Sequence, residues 1–145
     1  MPAARHDPHP KFQFTVEIDG MVSSSFKSVS GLDFEIEVIE YRDGNEPTTV
    51  RKLPGLTKFD VVSLTRGFTG NRDLWDWIRS ISQGSLDRRN VGIVLLDATM
   101  QPVLRWTLRN AMPTKYVGPT LDASDNEVMI ETLVLVHEGL DLVTA

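Results

Sequence analysis

The sequence predicts a mainly β protein: two packed antiparallel sheets in a sandwich or barrel-like arrangement, with one flanking α-helix. Two observations carry that prediction. Runs of alternating apolar and polar residues recur from Phe12 to His137, separated by clusters of Gly, Pro, Asn and Asp, and roughly seven such runs is a number typical of sandwiches and barrels. By contrast, only the stretch from Leu74 to Ile81 repeats its apolar residues at helical spacing. The chain has 145 residues, 41% apolar and 24% charged, which is the content of one ordinary domain. Residues 1–10, MPAARHDPHP, read as a flexible N-terminal arm, and residues 11–145 as the single domain.

In the first strand Phe12, Phe14, Val16 and Ile18 alternate with Gln13, Thr15 and Glu17, so one face meets a core, and Asp19-Gly20 supplies a tight turn. After the small residues Ser23 to Ser25, Phe34, Ile36 and Val38 alternate with Glu35 and Glu37. Ile39 and Tyr41 continue that apolar series in the opposite phase, which requires a bulge or a second buried face. Arg42-Asp43-Gly44-Asn45-Glu46-Pro47 is an exposed loop, because it is polar, rich in turn formers and ends on a proline with no ladder donor. Leu53-Pro54-Gly55-Leu56 marks another turn, after which Phe59, Val61 and Leu64 rebuild a strand before Gly67.

The helix follows. Asn71 can cap it, Asp73 suits its positive first turn and Gly84 can end it. Leu74, Trp77, Ile78 and Ile81 share one narrow stripe, which packs on a sheet. Trp75 lies beside that stripe, either as a partly covered surface aromatic or as a flank contact for another subunit.

Beyond the helix, Val91, Ile93 and Leu95 form one arm of a hairpin that turns at Asp97 to Gln101. Its second arm runs from Pro102 to Arg109, with Leu104, Trp106 and Leu108 facing one way and Arg105, Thr107 and Arg109 the other. A short strand at Lys115 to Val117 and a long one from Val128 to His137 complete the set. In the long one Val128, Ile130, Val134 and Val136 occupy one face and Met129, Leu133 and Leu135 the other. Both faces need cover, from a central position between layers or from a neighbouring copy, so Met129, Leu133, Leu135 and His137 are candidates for a core strand or for a contact between copies.

Composition excludes several functions. Lys plus Arg number 15 against 20 Asp plus Glu, giving a net charge of -5, so no global basic field draws the chain to nucleic acid or anionic lipid. There is no cysteine, hence no disulfide framework, thiol nucleophile or thiolate metal site. The amino terminus lacks the apolar segment of a secretory signal, and runs such as Ile93 to Leu96 fall far short of the roughly 20 residues that span a bilayer as a helix. The expectation is a protein made and assembled in the cytoplasm.

No residue set fits a catalytic template, and no cofactor or metal is expected. His137-Glu138-Gly139 lacks the second histidine of H-E-x-x-H and sits at a strand end, where a structural or capping role suits it better. His6, Asp7 and His9 lie in a proline-broken arm that fixes no ligand geometry. Ser28, Ser30 and Gly31 do not form G-x-S-x-G and show no base beside them. Arg51-Lys52 and Arg88-Arg89 are short basic pairs, read as solvated or as salt-bridge partners.

Taken together, FQFTVEIDG (Phe12 to Gly20), FKSVSGL (Phe26 to Leu32), EYRDGN (Glu40 to Asn45), RKLPGLTK (Arg51 to Lys58), LTRGFTG (Leu64 to Gly70), LWDWI (Leu74 to Ile78), RWTLRNAMPTK (Arg105 to Lys115) and ETLVLVHEGL (Glu131 to Leu140) resemble the inner tube proteins of contractile phage tails and phage-tail-like extracellular contractile injection systems. The resemblance implies the tail-tube version of the fold, with six copies in a ring and rings stacked into a hollow tube inside a contractile sheath. It places Tyr41, Arg42, Asp43, Gly44, Asn45 and Glu46, in a loop reaching Val50, at the ring-to-ring contact. Implied partners are further copies, the sheath protein, baseplate or tube-initiator and terminator proteins, and cargo or DNA in the lumen. The alternatives are a tube-initiator ring at the baseplate or, in another class, a β-barrel carrier of small ligands. The arm before Lys11 and the acidic Asp122, Asp125 and Glu127 depart from the family's pattern.

Overall fold

The computed structural model describes residues 13–19, 21–23, 26–42, 44–45, 48–124 and 126–145. Along the chain run β1 (Phe14–Ile18), β2 (Met21–Ser23), β3 (Phe26–Ser30), β4 (Phe34–Tyr41), β5 (Arg51–Phe59), β6 (Val62–Gly67), α1 (Asp73–Ser82), β7 (Arg89–Leu96), β8 (Pro102–Val117), β9 (Ile130–Val136) and β10 (Gly139–Thr144). All pairings are antiparallel. Phe12, the expected start of the first strand, lies outside the described residues, as do His6, Asp7 and His9.

β8 organises the molecule. Its residues 104–109 lie between β7 and β10, giving the sheet β2-β1-β7-β8-β10, whereas its residues 112–117 pair with β9, giving the sheet β8-β9-β6-β3. One strand of 16 residues therefore belongs to both layers. It changes sheet at Asn110, whose φ of 51° is left-handed, a conformation that asparagine tolerates better than most residues. The two sheets are packed and share a strand, yet the order stays open at β2 and β3, so no barrel closes.

Between the layers, Val16, Val91, Ile93 and Leu108 of the first sheet meet Val62, Leu64, Leu133 and Leu135 of the second. α1 covers one end of this core with Leu74 and Trp77, while Ile78 and Ile81 pack partly buried beside them. The Trp77 indole N–H donates to the Asp87 carbonyl at 2.8 Å, so the large ring is buried without stranding its polar atom. Asn71 Oδ1 accepts the Asp73 N–H at 3.1 Å at the helix start. At the other end Gly84 N–H bonds Ile81 O and Ser85 N–H bonds Ser80 O, a Schellman close that needs the left-handed φ of 95° at Gly84.

Several strands differ from the sequence reading. Leu53-Pro54-Gly55-Leu56 is no turn but the middle of β5, and the register against β4 shifts there, between Ile36 and Val38. In a two-stranded ribbon each strand has one unpaired edge, which is where sheets admit proline. The strand expected through Phe59, Val61 and Leu64 is broken: Phe59 ends β5, Val61 is exposed, and β6 buries Val62, Leu64 and Arg66. The separate strands at Pro102 to Arg109 and Lys115 to Val117 are one continuous β8, and the last long strand begins at Ile130 rather than Val128. β2, β3 and β10 were not expected; β2 and β3 are short and serine-containing, which weakens their alternation.

Candidate functional site

β4 and β5 leave the body as a ribbon that makes few contacts with any other element among the described residues. Both its faces are bare: Phe34, Val38 and Leu56 are 59%, 60% and 73% exposed, and Ile36, Ile39, Tyr41 and Leu53 are exposed as well. A lone two-stranded ribbon is marginal in water, and a clustered apolar surface of this kind marks an interaction site. Its charges are segregated, since β4 carries Glu35, Glu37 and Glu40 and β5 carries Arg51, Lys52 and Lys58. Lys58 Nζ meets Glu37 Oε1 at 2.5 Å across the ribbon. At its tip Tyr41 opposes Arg51, and Arg42, Gly44 and Asn45 are exposed. Asp43 and Glu46 of the expected stacking loop lie outside the described residues.

The root of the ribbon is tightly made. Gly31, with φ of 91°, turns the chain out of β3 where a Cβ would sit 1.9 Å from the Val61 carbonyl oxygen, so no other residue fits. Phe34 packs on Phe59 at 6.3 Å, and Phe59 on His137 at 5.1 Å. His137 stands just past the end of β9, and its Nδ1 accepts the Gly139 N–H at 3.3 Å. Its Nε2 is buried without a hydrogen-bond partner. Burial pushes the His137 pKa below the usual histidine value against the smaller effect of its backbone neighbours, which keeps the ring neutral.

The other expected site residues separate. Leu133 and Leu135 are completely buried in the chain's own core, whereas Met129 is exposed ahead of β9. On the opposite face of β9, Val134 and Val136 are half-buried. Thr132 there bonds Thr65 across to β6, with 3.1 Å between hydroxyl oxygens. Trp75 is 39% exposed and meets the Tyr116 ring edge-on at 5.3 Å, which ties the helix flank to β8. Of the basic pairs, Arg88 reaches Glu138 at 3.2 Å and Arg89 reaches Asp87 at 2.9 Å. Ser28 and Ser30 lie exposed in β3.

A polar cluster that the sequence reading missed joins the second sheet to the helix. Arg66 and Glu131, both 2% exposed, face each other on β6 and β9, with Arg66 Nε donating to Glu131 Oε1 at 2.5 Å. Arg66 also bonds both Asp73 carboxylate oxygens at the start of α1 and the Asn71 carbonyl, and lies over the Phe26 ring. Tyr116 completes the set, donating to Glu131 Oε2 at 2.5 Å, and burial together with that carboxylate pushes its pKa up to about 12. The signal was available in register: Arg66 continues the buried phase of Val62 and Leu64, and Glu131 that of Leu133 and Leu135. Opposite charges in the apolar phase of two strands imply a buried pair.

Among the described residues no group of three or more His, Asp or Glu is placed to hold a metal, and no helix is long and apolar enough to cross a membrane. What the geometry offers is surface for assembly: a bare ribbon at one end and a firmly braced body behind it.

The family model for the T4-like virus tail tube protein gp19 matches residues 10–141. Among the curated proteins none matches. A chain in the extended sheath–tube complex of PVC, an extracellular contractile injection system, is 30% identical, with 95% of this chain and 93% of that one covered and a TM-score of 0.85. A chain in the tube-terminating cap of the anti-feeding prophage is 28% identical over 100% of this chain and 97% of its own, with a TM-score of 0.88. Hcp1 from Flavobacterium johnsoniae, 14% identical over 90% and 94% with a TM-score of 0.59, shares the fold. With the family matched across nearly the whole domain, and a shared-strand sandwich whose surplus surface is made for assembly, the chain belongs to the T4-like virus tail tube protein gp19 family and is a structural tube subunit.

Proposed function

We propose that six copies of this chain close into a ring, that rings stack into a hollow tube, and that a contracting sheath drives the preformed tube into a target envelope with cargo in its lumen. The chain does no chemistry of its own in this reading. It supplies a rigid shape, and the energy comes from the sheath. The observation that carries the reading is the β4–β5 ribbon, whose apolar residues beyond its root are left exposed and which makes few contacts with any other element among the described residues. The sheath–tube, terminator and baseplate settings of the similar structures support sheath and end-of-tube partners for this chain too, within a phage-tail-like particle. Closed cyclic symmetry covers the same patches in every copy, whereas stacking repeats a head-to-tail contact without closing.

The ribbon tip tests the stacking half of this reading. Replacing Arg42, Asp43 and Glu46 together by Ser leaves the core untouched, so the variant should fold and form rings but fail to make long tubes. Exposed charge contacts are individually worth under about 1 kcal/mol and are screened over roughly 8 Å, so high salt should loosen stacking before it loosens rings. Electron microscopy showing variant tubes of normal length and frequency would remove the tip from the ring-to-ring contact.

A further inference from the structure

The ribbon joins the body at its root. There Gly31 lies against the Val61 carbonyl, the Asp60 N–H donates to the Asp33 carbonyl at 3.2 Å, and the β4–β5 ladder closes on Phe34 opposite Phe59. Phe59 in turn meets His137, the single ring contact between ribbon and body among the described residues. The imidazole suits that place only when neutral. Its Nδ1 accepts the Gly139 N–H, so the proton of the neutral ring sits on Nε2, which is buried without a hydrogen-bond partner. A second proton would have to go on Nδ1, where it would face the Gly139 N–H donor to donor and break that bond. The charges nearby offer no counterion. Asp33 and Asp60 are exposed at the root, Glu138 is taken up by Arg88 at 3.2 Å and by the Asn110 amide at 3.1 Å, and the Arg109 guanidinium of β8 lies where a Cβ of Gly139 would be. None of those carboxylates bonds to the imidazole, and Arg109 sets a positive charge against its backbone partner.

We infer that His137 is a proton-sensitive catch at the root of the ribbon: neutral, it keeps the ribbon set against the body, and charged, it leaves Phe59 and frees the root while the body stays folded. Leaving costs one ring contact and one backbone hydrogen bond, and it gives the charged ring water. The core is not disturbed, since His137, Phe59 and Phe34 all lie outside its buried cluster. Burial already holds the imidazole below its ordinary 6.5, so a proton binds the open root more tightly than the closed one, and acid favours opening. An open root whose imidazole titrates at 6.5 gains up to about tenfold in population between pH 7.5 and 5.5. The catch belongs to the single chain and does not rest on the ring-and-tube reading.

Hydrogen exchange of the purified chain tests this, read by mass spectrometry at pH 7.5 and 5.5 and corrected for the intrinsic rate at each pH. In acid, peptides from residues 31–41 and 51–61 should lose several-fold, up to about tenfold, in protection relative to peptides from β6 and β9. His137→Phe keeps a ring against Phe59 but takes no proton, so it should abolish that difference. No loss in the ribbon, or an equal loss in β6 and β9, would overturn the local catch. An unchanged response to pH in His137→Phe would overturn His137 as its sensor. Slow exchange of the imidazole C2 hydrogen, followed against pH in the peptide that holds His137, gives its titration in the unaltered chain. A midpoint below 6.5 is expected, and one at or above 6.5 overturns the inference. That titration needs no variant, so the inference stays decidable even if His137→Phe fails to fold.

Discussion

Arg66 and Glu131 carry opposite charges where neither reaches water, and each has most of its hydrogen-bonding capacity satisfied by the other, by Asp73 or by Tyr116. Glu131→Leu leaves Arg66 paired with Asp73 but takes the acceptor from Arg66 Nε and from the Tyr116 hydroxyl, so it should lower the unfolding free energy by about 2 to 4 kcal/mol. Adding Arg66→Met to it should recover a large part of that loss. Urea unfolding of the two variants checks both expectations. His137 gives a second expectation. Its folded pKa lies below its ordinary value of 6.5, so the proton prefers the unfolded chain. Stability is then fully present above about pH 6.5 and falls as the pH drops below it. His137→Phe keeps a ring against Phe59 and should flatten the stability profile between pH 7 and 5, although it strands the Gly139 N–H and lowers stability throughout. At this scale the sequence was only partly legible. Alternation showed which residues share a face, and so Leu133 and Leu135 could be grouped, whereas the apolar Phe59 and Val61 drew the expected strand away from Val62; which charged residues share a site depends on pairing between strands 65 residues apart, and that is set by topology.

Among the elements, α1 was the most legible, because its stripe, its first-turn acid and its closing glycine all lie within one short window. Trp77 is 1% exposed under that stripe, so Trp77→Ala should cost about 3 to 5 kcal/mol, the usual range for a large buried aromatic. Trp75→Ala loses only an exposed edge contact with Tyr116 and should cost about 1 kcal/mol. Thermal unfolding of the two variants separates them, and equal losses would overturn the assignment of the helix faces. The ribbon was half legible. Its acidic strand and polar tip could be read, whereas Pro54 and Gly55 disguised β5 as a turn, since a proline argues against a strand unless that strand has a free edge. β8 was read as two pieces for a related reason: its polar residues change face at Asn110, where the strand leaves one sheet for the other. A local pattern cannot distinguish that passage from an interruption.

At the scale of the whole molecule, the layer shared through β8 gives a body in which the second sheet is braced on one side by the core and at its end by the Arg66 cluster on α1. Such a body can carry an exposed ribbon without losing its own fold, because the ribbon contributes nothing to the core. The barrel-like sandwich was legible from strand number and the single helix, and the family resemblance from the quoted motifs. The place of the ribbon's root, at the end of the second sheet where β3 stops and β6 starts, was not, because it follows from strand pairing. The central claim, a subunit that closes into six-fold rings, is tested most directly by native mass spectrometry of the purified chain at tens of micromolar across several salt concentrations. The account predicts a dominant species of six chains of 16.3 kDa each, with multiples of it at low salt. A spectrum holding only the single chain under every condition would contradict it.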